Sequence, residues 1–168
     1  LFRSQGKKFD TLRKTAISEI FEQNGVKGVI RFAESVVSPE KVGQALGVIT
    51  DEAIENTLLP HLIDTEINVH SALVGGFIWS RHTLYGWDWC DNIEKSGWTP
   101  GQIGQLLSFL PFIKDTWNRA AEWLNDNKGE YWSRARVNVY QAGDDIAVAI
   151  ENLIDHGRPH AAIKCLNR

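Results

Sequence analysis

The sequence predicts an all-α fold in which antiparallel helix pairs stack into a right-handed superhelical array. Three observations lead there. Apolar residues recur with a period near 3.6 along almost the whole chain, and strand-like alternation is nearly absent. Glycine and Ser/Thr-Pro pairs cut that pattern into about ten or eleven short helices joined by short connections. One stretch also repeats: Ser38-Pro39-Glu40-Lys41-Val42-Gly43-Gln44-Ala45-Leu46 aligns with Thr99-Pro100-Gly101-Gln102-Ile103-Gly104-Gln105-Leu106-Leu107 at an offset of 61 residues. The same offset carries Gly25 onto Gly86. A unit that cannot bury its own apolar face alone gains by stacking on its neighbour, which is why such echoes point to a repeat array.

The elements follow in order. Asp10 reads as the N-cap of a first helix whose stripe is Leu12, Ala16, Ile17, Ile20 and Phe21, ended by Asn24-Gly25. A second helix carries Val29 to Val37. Ser38 caps a third, with Pro39 at the first helical position, where no amide donor is missed. Thr50-Asp51-Glu52 opens a fourth that Pro60 ends. A long apolar helix covers Val69 to Leu84, Gly86 stops it, and Trp87 to Lys95 forms the next. Thr99-Pro100 caps a helix to Leu110, and Trp117, Ala120, Ala121 and Leu124 stripe another. Short helices are expected over Glu130 to Val137 and Asp145 to Asp155. Gly157-Arg158-Pro159 turns the chain into a last helix, His160 to Asn167. The whole reads as one helical-repeat domain, with units at 10–64, 69–126 and 130–168.

Composition narrows the function. Eighteen Lys and Arg against 21 Asp and Glu leave a net charge of −3, with 43% apolar residues. That balance argues against disorder and offers no electrostatic reason for nucleic acid or an anionic membrane as the main partner. The basic pairs Arg13-Lys14 and Arg134/Arg136 are a weak nucleic-acid option, since acids interleave them. The apolar run Ala72 to Trp79 falls far short of the roughly 20 residues a spanning helix needs. No secretory leader precedes Lys7-Lys8, and Cys90 and Cys165 read as structural thiols, so a cytoplasmic location is expected. The chain has no Met, which fits an internal piece of a longer protein or a chain written without modified methionines.

No catalytic signature stands out. His156 and His160 have ligand spacing, but Gly157-Arg158-Pro159 breaks the helix between them. His61, Asp64, Glu66 and His70 straddle a predicted loop. No Gly-rich phosphate cradle is present. Neither a metal nor a cofactor is expected. The feature with functional promise is aromatic: all seven Trp lie between Trp79 and Trp132. Trp87, Trp89 and Trp98, with Arg81 and His82, are the candidate binding residues, because indole rings near a surface anchor partners. Packing between units competes with recognition as their role. A helical enzyme domain using His82, Asp88, Asp91 and Glu94 is the rival reading.

The helix–Gly–helix ends, above all Asp145 to Arg168 with its Ala147, Ala149, Gly157, Ala161 and Ala162, resemble tetratricopeptide- or HEAT-type α-solenoid units. The stretch from Tyr131-Trp132-Ser133-Arg134 to Gly157-Arg158-Pro159-His160-Ala161-Ala162 is similar in style to helical-repeat regions of very large bacterial proteins, among them multidomain signalling ATPases used in phage defence. The resemblance implies a non-catalytic module for protein–protein interaction or ligand sensing. Its partner would be a protein, a peptide or another domain of the parent chain.

Overall fold

The computed structural model describes residues 2–166, with side chains from residue 5 onward. Among the described residues all regular structure is helical and there is no strand. None of these helices is long and apolar enough to cross a membrane. The chain divides into two compact units, Leu1–Glu94 and Lys95–Arg168.

In the first unit, α1 spans Phe2–Glu34 and is broken at Gly25, whose φ of 65° and ψ of −167° are not helical. That corner of backbone space is essentially restricted to glycine, so it is an extended kink rather than the left-handed cap that Asn24-Gly25 suggests. Asp10 is not an N-cap. It lies inside α1 and its carboxylate accepts a 2.8 Å bond from Arg13. The preceding Lys- and Arg-rich turns are good helix formers without an apolar stripe, so periodicity does not register them. Of the predicted stripe only Ile17 is fully buried, while Leu12 and Ala16 are exposed.

Helix α2 is Pro39–Leu46, with Pro39 at the first helical position. Ser38 precedes it but makes no side-chain cap, a second correction. Helix α3, Glu52–Leu58, is capped by Asp51, whose carboxylate accepts from the Ala53 amide at 2.8 Å. It ends before the cis Leu59–Pro60 peptide. Helix α4, Asn68–Asn92, kinks at Gly86 (φ 64°, ψ −154°), much as α1 does at Gly25. Helices α2 and α4 cross in near backbone contact. A Cβ on Gly43 would come within 1.9 Å of the Leu73 carbonyl oxygen, and one on Gly76 within 2.1 Å of the Glu40 carbonyl oxygen. Around that crossing Leu46, Ile54, Leu58, Leu73 and Phe77 are fully buried.

In the second unit, α5 is Pro100–Ser108, opened by a full capping box. The Gln102 amide donates to Thr99 Oγ1 at 3.1 Å, and the Thr99 amide donates to Gln102 Oε1 at 2.9 Å. Helix α6, Lys114–Leu124, leads through a 3₁₀ turn at Asn125–Asn127 to α7, Gly129–Trp132. Helix α7 stops well before the Val137 that periodicity suggests. Arg158 Nη1 donates to the Trp132 and Ala135 carbonyl oxygens at 3.0 and 2.7 Å, so these acceptors are satisfied without another helical turn. Helix α8 is Val139–Ala142, followed by a 3₁₀ turn at Gly143–Asp145. Helix α9, Ile146–Asp155, packs on α10, Pro159–Leu166, across Gly157 at φ 74°. Asn167, the expected end of the last helix, lies outside the described residues.

Aromatic rings build this unit's core. Phe112 meets Trp117 at 5.1 Å between centroids, Trp117 meets Trp132 at 5.8 Å, and Trp132 meets Tyr131 at 5.0 Å. Burial pushes the Tyr131 phenol well above its usual value, with Trp117 and Arg158 pulling weakly the other way. Helix α5 meets α7 through Gly104, where a Cβ would lie 2.6 Å from the Glu130 carbonyl oxygen. So Gly25 and Gly86, Pro39 and Pro100, and Gly43 and Gly104 adopt matching local roles 61 residues apart.

Candidate functional site

Helix α4 carries Arg81 and Tyr85 before its Gly86 kink, and Asp88, Trp89 and Asn92 after it, each set at spacings of one to four residues. Across the kink the two sets come together and line one side of an open groove of about 720 Å³. Thr50 and the α3 residues Glu52, Glu55 and Asn56 line the other side, and Glu94 lies just past the end of α4. The groove lies wholly within the first unit.

Arg81 sits at its base. Only 5% of the residue is exposed, and its guanidinium carbon lies 5.2 Å from the Phe77 ring centroid and 5.6 Å from that of Tyr85. Nη2 donates to the Ile49 carbonyl oxygen at 2.8 Å. Nε, also buried, has no acceptor among the described residues. Trp89 is half-buried, edge-on to Phe77, and its indole N–H donates to Glu55 Oε2 at 2.9 Å. Tyr85 is 46% exposed. Among the described residues neither Glu52 nor Asp88 has a cationic partner. The groove thus offers two aromatic faces, four carboxyl groups and one guanidinium.

The candidate residues fall into three places. Arg81 and Trp89 come together in the groove. His82 and Trp87 stack on each other edge to face, 4.6 Å between centroids, and do not line it. Trp98 belongs to the second unit, where it is half-buried. Of the acidic and histidine set, Asp88 and Glu94 share the groove, whereas His82 and Asp91 are not among its lining residues. Sequence reasoning missed Tyr85, Glu52, Glu55 and Asn56. Tyr85 had a signal, four residues after Arg81 on the same helical segment. The α3 residues had none, since Glu55 lies 34 positions from Trp89 and only the packing of α3 brings the two together.

Elsewhere, no three His, Cys, Asp or Glu among the described residues gather as a metal set. His70 Nε2 instead pairs with Glu34 at 2.8 Å, and His156 Nδ1 lies 2.7 Å from the Asn152 carbonyl oxygen. Both cysteines are buried and neither forms a disulfide. Arg13 and Lys14 line a smaller groove of about 340 Å³ with Lys41. Arg134 pairs with Glu130, and Arg136 lies over the Phe109 ring at 4.5 Å. No protein-family model, curated protein or solved structure matches the chain.

Proposed function

We propose that the chain is a non-catalytic helical-repeat module of the α-solenoid kind, and that its first unit holds a segment of a partner protein, or of another domain of its own chain, in the α3–α4 groove. The observation that carries this reading is the groove itself. An exposed Tyr85 and a half-buried Trp89 stand over a buried guanidinium, side chains that anchor protein contacts and that a solvated helix face does not need. The paired glycine kinks and glycine crossings 61 residues apart support the repeat part of the reading.

A phage-displayed library of random peptides, panned on the whole chain, tests the proposal. The expected result is a set of peptides whose binding is lost with Tyr85→Ala and with Trp89→Ala, while both variants keep the wild-type circular dichroism. Failure to enrich any peptide, or equal retention by both variants, counts against the groove as a binding site.

A further inference from the structure

The charge pattern of the groove goes further than a general preference for peptides, and this inference rests on the groove reading above. We infer that the groove takes a basic peptide segment, with an arginine or lysine side chain lodged between the carboxyl groups and the rings of Tyr85 and Trp89, and a peptide carbonyl turned toward Arg81. Four carboxyl groups, from Glu52, Glu55, Asp88 and Glu94, line one open cleft with a single guanidinium, and Glu52 and Asp88 have no cationic partner among the described residues, so the cleft carries an excess of negative charge.

Local helix chemistry explains only part of this. Glu52 and Glu55 sit in the first turn of α3, where an acid is favoured by the helix dipole. Asp88 also lies in a first turn, two residues past the Gly86 kink of α4, but Glu94 lies just past the C-terminal end of that helix, where the dipole disfavours an acid. Trp89 is held in place by Glu55, which fixes one ring face beside the acids. A cation over an aromatic face and between carboxyl groups is stabilised by both.

The second observation is independent of the acids. Arg81 is almost wholly buried, lines the groove, and has a donor, Nε–H, that no described residue accepts. A buried donor left unmatched is costly, and an acceptor arriving with the ligand relieves that cost. A free cation such as a polyamine supplies no acceptor. A peptide supplies a carbonyl beside each side chain, so it answers both halves of the site at once.

Isothermal titration calorimetry on the intact chain decides the matter, using capped alanine-based peptides that differ only in a central arginine, lysine, citrulline or norleucine. Arginine and lysine peptides are expected to bind, and citrulline or norleucine to weaken binding about tenfold or more. Raising the salt concentration should weaken the arginine peptide and leave any norleucine binding unmoved. The double variant Glu52→Gln/Asp88→Asn removes two exposed charges with little demand on folding, and it should lose most of the arginine preference. Tyr85→Phe keeps the ring and should retain it. Norleucine binding as tight as arginine and still dependent on Trp89 overturns the basic-segment inference and leaves the groove reading standing. Spermidine binding tighter than the arginine peptide overturns the peptide as occupant. No heat with any peptide, together with an empty library screen, removes both.

Discussion

Gly43 is the position where the first unit tolerates a side chain least. A methyl group there would overlap the Leu73 carbonyl, which is backbone and has no rotamer to escape into. Gly43→Ala should therefore cost about 1–3 kcal/mol in a urea melt, as overpacking of a tight core does. Gly6→Ala, with nothing within 4 Å of the new carbon, should be neutral or slightly stabilising. Equal stability of the two variants would show that the α2–α4 crossing is looser than its geometry. Tyr131 makes a pH-dependent prediction. Its phenol is held protonated by burial, so the folded state keeps a proton that the unfolded chain loses above about pH 10. Stability is thus fully present below that pH and falls as pH rises beyond it. Tyr131→Phe should flatten the alkaline side of the melting-temperature profile, and an unchanged profile would refute the assignment.

Helix starts 61 residues apart look alike in sequence and behave differently. Thr99-Pro100 makes both bonds of a capping box, whereas Ser38-Pro39 makes no side-chain cap. Thr99→Ala is expected to lower stability by about 1 kcal/mol and Ser38→Ala by much less, both read from urea midpoints. Comparable losses would mean that Ser38 caps in solution. Most helix existence was legible from apolar period and punctuation. Boundaries were less so: α1 begins upstream of Asp10 because Lys and Arg extend a helix without marking a face, and α7 ends early because Arg158, 26 residues from Trp132, satisfies its last carbonyls. The candidate site divides in the same way. Arg81 and Trp89 were legible as a charged and an aromatic residue on consecutive helices either side of Gly86, but their neighbour Glu55 is brought in by tertiary packing.

At the scale of the chain, each compact unit carries its own kind of core, aliphatic around the α2–α4 crossing in one and aromatic around Trp117 and Trp132 in the other. Residues 1–94 produced alone are expected to give a cooperative, helical urea transition, because Leu46, Ile54, Leu58, Leu73 and Phe77 already bury one another's unit. A shallow, non-cooperative melt would show that this core is incomplete by itself. The sequence alone determined an all-helical chain, the glycines at which α1 and α4 break, and the Pro positions that start α2 and α5. Those are local properties, set by backbone freedom and by which face of a helix is apolar. Tertiary structure alone decided that Arg81 is buried, that Trp89 leans on Glu55, and that His82 turns to Trp87 instead of joining Asp88. Such pairings join residues on different helices, or choose among neighbours on the same one, and only the packing of one element against another selects them.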